Sequence, residues 1–277
     1  MEIVDHASLV DMQTDFFAKE GYLIVRSLFS KDEANLILDT FMEQGKDGPV
    51  QGLSEYLSKP VGENDPLSYY PRMMMPHKHS ELAVGPLSMS KMLDSRVHTI
   101  LTRLFADEPL AVQSMFYFKP PGARGQDLHQ DNYYLRVKPG TCIAAWTAVE
   151  DADENNGGLM IVPGTQNMEV LCPERADNSL YFTQDHLEVP EGKQVQSINL
   201  KAGDVLFFNG SLIHGSSPNT STDRFRRAFI CHYVPRSTIE MSKGYTPQMD
   251  FEGIEFVLPD NGDIGPCGVQ FGEQRRH

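Results

Sequence analysis

The sequence predicts a mainly β chain: a double-stranded β-helix, or jelly roll, with helices gathered at its N-terminus. Three observations point there. From Ala111 to Pro235, short β-type runs alternate with turns rich in Gly, Pro, Asn and Asp. The helical periodicities lie before that point, so helices form a layer on a β core instead of alternating with strands. At 277 residues, the chain is long enough to bury that core as one domain. The expected division is helical and lid elements over 1–110, barrel core over 111–235 and a C-terminal extension over 236–277.

Taken in order, Leu9 to Lys19 predicts a short helix, and the β-branched and aromatic run Gly21 to Phe29 a strand. Ser30 then reads as an N-cap followed by acids, opening the amphipathic helix ANLILDTFMEQ. Gly45 to Pro86 has no clear period and reads as irregular, surface-covering structure. Pro86 to Phe105 is helical again, with Met92, Val97, Ile100, Leu101 and Leu104 on one face. The β runs follow: AVQSMFYFK, YYLRV, TCIAAWTAV, LMIV, VQSINL, VLFFNGSLIHG and RRAFICHYV, each ended by a turn signal. Two long irregular stretches, Tyr56 to His79 and Met168 to Val195, are candidate lids, because such segments in compact domains are often functional covers. Tyr69, Tyr70, Arg72, Met73, Met74, Met75 and His77 could form one pocket wall, or the Met run could simply pack under a loop.

Composition narrows the function. With 24 basic and 38 acidic residues the net charge is -14. Such a surface repels phosphate backbones and argues against nucleic-acid binding. It also makes a CoA thioester less attractive as substrate than a small molecule of low charge. No stretch approaches the ~18 apolar residues of a membrane helix, and the N-terminus lacks the pattern of a signal peptide, so a cytoplasmic location is expected. Cys142, Cys172, Cys231 and Cys267 form no C-x-x-C pair, which excludes the usual cysteine zinc site and predicts reduced thiols. Oligomeric state is not legible.

The chemistry lies in the histidines. Two His and one carboxylate on one face of a metal leave positions open for other ligands, and H-x-D on a strand points both ligands to one side. Nine His among 38 acids would produce roughly one H-x-acid match by chance, yet three occur: His79/Glu81, His129/Asp131 and His186/Glu188. Taken singly, each is a surface or packing feature. Context separates them, because only His129 lies where a core strand should begin, after the turn PPGARG. His214 ends the apolar run DVLFFNGSLIH and would present its imidazole at a barrel mouth; alone it reads equally well as a half-buried strand-end histidine. Arg224, Arg226 and Arg227 open the last core run. A guanidinium fork suits a carboxylate, although one arginine at a turn is ordinarily a solvated strand edge. His98 reads as a packing histidine and His6 and His277 as surface or structural residues. His232 is in phase with Arg226 and is given no role.

The blocks FKPPGARG…LHQD, AAWTAVEDADENNGGLMIVPGTQ, AGDVLFFNGSLIHGSSPN and RFRRAFICHY occur in the order found in the phytanoyl-CoA dioxygenase family. The opening FFAKEGYLIVRSLFSKDEANLI resembles that family too, so the likeness spans Phe16 to Pro235. The resemblance implies an iron(II)- and 2-oxoglutarate-dependent dioxygenase that uses O2, hydroxylates a C–H bond of a small molecule and releases succinate and CO2. It implies iron on His129, Asp131 and His214. Related enzymes that halogenate have Gly or Ala in place of the carboxylate, so Asp131 favours hydroxylation or a related oxidation. For 2-oxoglutarate it implies Arg226, with Arg224 as the alternative register, together with Gln113, Met115, Lys119, Gln130 and Trp146. Asn132, Tyr133, Tyr134 and Arg136 follow the triad motif and are candidate substrate contacts. Two rivals remain: a cupin-like metal isomerase or hydrolase, which needs no arginine anchor, and a non-catalytic small-molecule binding protein on the same fold.

Overall fold

The structure is a computed structural model that describes residues 2–3, 11–55, 64–262 and 264–269. His6, His277, the start of the expected first helix at Leu9 and the start of the first candidate lid at Tyr56 lie outside the described residues.

Two β-sheets carry the molecule. The larger orders Glu2–Ile3, Tyr22–Val25, Val205–Asn209, Ile143–Ala148, Ala228–Pro235, Pro109–Tyr117, Gln248–Met249 and Glu255–Phe256 side by side. The smaller orders Gln196–Ser197, Leu159–Ile161, His214–Ser216 and Gln126–His129. Apart from the first pair of the larger sheet, these strands run antiparallel. This is the jelly-roll architecture expected, and its chain-distant pairings explain why no short segment reveals it.

Side-chain alternation divides the larger sheet into two faces. Phe116, Ala145, Phe207, Phe229 and Cys231 point outward into a cluster with Ile37 and Phe41 of the helix Lys31–Gln44 and Val97, Ile100 and Leu101 of the helix Ser95–Phe105. Met115, Tyr117, Trp146, Leu206, Phe208 and Ile230 point inward, against Leu159 and Ile161 of the smaller sheet. The inward face is the one that can bury a site.

Several elements differ from the sequence expectation. Ser30 caps the helix Lys31–Gln44 through a full capping box with Glu33, as expected. The helix predicted over Pro86 to Phe105 is two helices, Val84–Met92 and Ser95–Phe105, because Asp94 caps a new start with its carboxylate on the Arg96 N–H. The region read as irregular contains a strand, Arg72–Met74, which pairs Met73 with Phe116 and Met74 with Met115 at the larger sheet. YYLRV is not a strand: Asn132–Leu135 makes one helical turn, closed by Arg136 at φ 51°. The expected run VLFFNGSLIH is two strands in two different sheets, joined by a turn at residues 210–213. The segment after Pro235 returns to the larger sheet, pairing Met249 with Ala111.

The thiols also depart from expectation. Cys172 and Cys267 form a disulfide, while Cys142 and Cys231 are free and buried. No local pattern announces it, because 95 residues separate the pair; the fold brings the second candidate lid and the C-terminal segment together.

Candidate active site

The smaller sheet builds the first half of the site. His214 and His129 are direct cross-strand partners, with ring centroids 4.2 Å apart. Each ring is oriented by a backbone carbonyl two residues earlier: Nδ1 of His129 is 2.7 Å from the Asp127 oxygen and Nδ1 of His214 is 3.0 Å from the Leu212 oxygen. An Nδ1–H donating to each carbonyl puts the lone pair on Nε2, on the cleft side, where that of His129 also lies 3.1 Å from Nε2 of Gln126. Burial, then the neighbouring His214, holds His129 below its ordinary pKa, which favours the neutral, ligating ring.

Asp131 completes the cluster from a different element than expected. The strand ends at His129, and Asp131 has helical backbone at the entrance to the turn Asn132–Leu135. Its Oδ1 nevertheless lies 3.5 Å from Nε2 of both histidines. The three ligand atoms lie within 4.8 Å of one another and all three residues are buried. Two imidazole nitrogens and one carboxylate oxygen, converging on one point, fit a divalent transition metal such as iron(II). His79 and His186 are elsewhere: His79 pairs with Glu81 at the surface, and Nδ1 of His186 is 3.0 Å from Oδ2 of Asp127.

The cleft beside the triad spans about 390 Å³ of space between atoms, part of it open to solvent. Met115, Trp146 and Arg226 line it, as does His232. The structure separates the three arginines. Arg224 meets Asp153 and Arg227 meets Glu150 through two nitrogens, both outside the cleft. Only Arg226 turns inward, fully buried, with its guanidinium 5.5 Å from the Trp146 ring centre and Nε donating to the Gly157 oxygen at 2.9 Å. Burial pulls its pKa down to about 10, which still leaves it charged near neutrality.

Lys119 stands behind this wall. Its ammonium donates to Ser216 Oγ at 2.8 Å and to the backbone oxygens of Ser217 and Gly157. Burial, then the nearby Arg226, pushes its pKa well down. Gly157 is required here: it has φ +83°, and a Cβ would come within 2.4 Å of the Lys119 side chain and 2.8 Å of the Ser217 oxygen. Gln113 is buried on the same strand as Met115 but does not reach the cleft.

The residues flanking Asp131 are committed to the protein itself. The Gln130 amide donates to the Ser211 and Glu169 carbonyls and accepts the Leu171 N–H. Asn132 accepts the Val137 N–H and Arg136 donates to the Gly262 oxygen. Tyr134 donates to Asp185 at 2.7 Å, its ring 6.3 Å from that of His129, and Tyr133 packs edge-on against it. The structure therefore brings none of these four, nor Gln130, to the cleft.

Of the expected wall, Met74 packs against the inward cluster and Arg72 donates to the cleft-lining Tyr117 hydroxyl at 2.9 Å. Met73 faces the opposite cluster, Met75 a third. Tyr69 is exposed, Tyr70 packs on Phe118, and His77 is buried beside Ser114. The second candidate lid does reach the site: Phe182 joins the inward cluster, and the Leu187 N–H donates to the Leu128 carbonyl along the triad strand.

Sequence reasoning missed four polar cleft residues, His232, Ser216, Gln126 and Tyr117, besides the apolar lining. For His232 a signal existed, since it shares strand phase with Arg226. For the others the two sheets had to be assembled first.

Comparison with known proteins follows the same lines. The family model for phytanoyl-CoA dioxygenase matches residues 17–228. A phytanoyl-CoA dioxygenase of Arabidopsis thaliana is 29% identical over 263 residues, covering 85% of this chain and 92% of its own. Among solved structures, the non-heme α-ketoglutarate-dependent carbocyclase SnoK of nogalamycin biosynthesis aligns with TM-score 0.65 at 20% identity, covering 91% of this chain and 90% of its own. The epimerase SnoN of the same biosynthesis aligns with TM-score 0.65 at 16% identity, over 84% and 85%. These two support the fold. Among the described residues, no helix is long and apolar enough to cross a membrane.

Proposed function

Because the chain belongs to the phytanoyl-CoA dioxygenase family, and so to the iron(II)- and 2-oxoglutarate-dependent dioxygenases, we propose that it hydroxylates an unactivated C–H bond of a small molecule, with release of succinate and CO2. The observation that carries this reading is the convergence of His129, Asp131 and His214 in a cleft whose inner wall presents one buried, charged arginine.

His129, Asp131 and His214 would hold the iron, which, with 2-oxoglutarate and O2 bound, supplies the oxidising power for a strong C–H bond. The chain's own part is positioning. Arg226 offers its fork to the distal carboxylate of the keto acid, while Glu150 and Asp153 are held by its neighbours Arg227 and Arg224. Lys119 braces that wall through Ser216, Ser217 and Gly157. Trp146 and Met115 flank the cosubstrate space with apolar surface, so that water is excluded and the charged contacts are strengthened.

The carboxylate of Asp131 argues against halogenation and supports hydroxylation or a related oxidation. SnoK and SnoN are described as a carbocyclase and an epimerase, so product structure is the deciding readout once a substrate is found. A cupin-like hydrolase or isomerase would leave Arg226 without purpose, and a binding relic would not need three intact ligands.

The test is an anaerobic titration of metal-free protein with Fe(II) and 2-oxoglutarate, followed by visible absorption, beside Arg226→Ala and Asp131→Ala. A saturating chelate band is expected in wild type, a band demanding far more 2-oxoglutarate in Arg226→Ala, and none in Asp131→Ala. A wild-type protein that binds iron but ignores 2-oxoglutarate would sink the dioxygenase reading and favour the hydrolase or isomerase.

A further inference from the structure

The Asp131 carboxylate has two oxygens, and they have different partners. Oδ1 faces Nε2 of His129 and of His214, at 3.5 Å from each. Oδ2 lies 3.0 Å from Nε2 of His232. We propose that His232 is a positioning residue of the metal centre: its Nε2–H holds Oδ2, so that Asp131 meets the metal through Oδ1 alone. The proposal rests on the iron reading above.

The placement of His232 argues for it. The residue belongs to the eight-residue strand Ala228–Pro235, which is hydrogen-bonded on both sides and pairs His232 with Ala144 and Gln113. Such a strand is among the least movable parts of the fold. The register against Pro109–Tyr117 shifts just after His232, a bulge of the kind that re-aims side chains next to functional sites. The ring is 1% exposed, so bulk water cannot replace its hydrogen bond. Asp131 itself sits on a turn beyond the end of a strand, the less constrained of the two elements. The residue on the doubly paired strand therefore sets the angle of the one on the turn.

The chemical consequence is a coordination number. A carboxylate that chelates with both oxygens occupies two positions on a metal; one restrained through Oδ2 occupies one. With the two imidazoles, that leaves three positions, the number needed for a bidentate keto acid and a third ligand. The donor role requires only that the proton be on Nε2, which holds for the neutral Nε2–H ring and for the charged ring alike.

The experiment compares wild type, His232→Gln, His232→Leu and Asp131→Ala. The Gln amide can donate from nearly the same place; Leu has similar bulk and no donor. Fe(II) affinity is measured anaerobically by chelator competition, and melting temperature is measured on the metal-free proteins. We expect His232→Leu to bind Fe(II) roughly 10- to 100-fold more weakly than wild type and His232→Gln to recover most of that loss. The metal-free melting temperatures of the two variants should agree, which separates positioning from packing. Wild-type affinity in His232→Leu, or equal weakness in the Gln variant, overturns the proposal and leaves the iron reading standing. A wild type that binds no metal removes the iron reading, and this proposal with it. Should neither variant fold, 15N–1H correlation of the wild-type imidazoles in the Zn(II)-loaded protein decides: a proton on Nε2 of His232 supports the proposal, and a ring protonated only on Nδ1 overturns it.

Discussion

Arg226 and its two neighbours show how much one residue's direction matters. All three guanidinium groups leave the same stretch of chain, yet Arg224 and Arg227 spend theirs on Asp153 and Glu150 while Arg226 is buried toward the triad. Lysine in that place keeps the charge and loses the fork. Charge-assisted hydrogen bonds contribute about 1.5–3 kcal/mol each, so Arg226→Lys should raise KM for 2-oxoglutarate roughly 10- to 100-fold in a succinate-release assay. Unchanged KM would place the anchor elsewhere. At this scale the sequence was partly legible. Turn context and the end of an apolar run set His129, Asp131 and His214 apart, although Asp131 acts from a helical turn instead of a strand; Arg226 was chosen among three arginines only through the family resemblance. Gln130, Asn132, Tyr134 and Arg136 were expected at the pocket; Asn132 accepts from nearby Val137, and the other three bind the chain-distant Ser211, Asp185 and Gly262. Local pattern carries no information about such partners.

Among the elements, the strand Pro109–Tyr117 connects the helical layer to the site. Its odd-numbered residues Met115 and Tyr117 line the cleft, and Phe116 between them stacks on Phe41 with ring centroids 4.1 Å apart. Phe116 is fully buried, so Phe116→Ala should cost about 3–5 kcal/mol in denaturant unfolding. A cost under about 1 kcal/mol would mean that the helical layer does not pack as described. The short turn Pro76–Lys78 docks on the same strand through His77, whose Nδ1 lies 2.7 Å from Ser114 Oγ. Burial, then the charges of Lys78 and His79, lowers the His77 pKa from 6.5 to about 4. Its folded pKa lies below its unfolded one, so the unfolded chain takes up the proton first as pH falls. Stability should therefore drop between pH 6.5 and 4, by on the order of 2–3 kcal/mol. His77→Gln should flatten that limb of the stability–pH curve; an unchanged slope would assign the loss to other groups. Helices were the more legible elements, Ser30 and Glu33 announcing one start outright. The strand Arg72–Met74 and the helical turn at Asn132 escaped notice because three or four residues are too few to show a period.

At the scale of the molecule, the two sheets close over the site only through long-range pairings. We propose that the described residues unfold as one cooperative unit; calorimetry should show a single transition, and two separated ones would divide the chain. The ligand set itself is assembled from halves, one from the segment around His129 and one from His214 onward, each of little use alone.

The Cys172–Cys267 bond bears on that division in a topological way. It ties residues 172 to 267 into a covalent ring that contains His214, Arg226 and His232 and leaves His129 and Asp131 outside it. Closing a ring of that length restricts the denatured chain by roughly 4–5 kcal/mol on the entropic account. A Cys172→Ser, Cys267→Ser double variant should melt lower, and dithiothreitol should shift the wild type alike while leaving the variant unmoved. Equal melting under both conditions would refute the linkage. The ring closes near the triad as well, since Leu171 is held by Gln130 and Gly262 by Arg136, on either side of Asp131. A cut in the loops within it would leave both fragments attached, so a nicked protein would keep its histidines and its arginine on one covalent body until a reductant parted them.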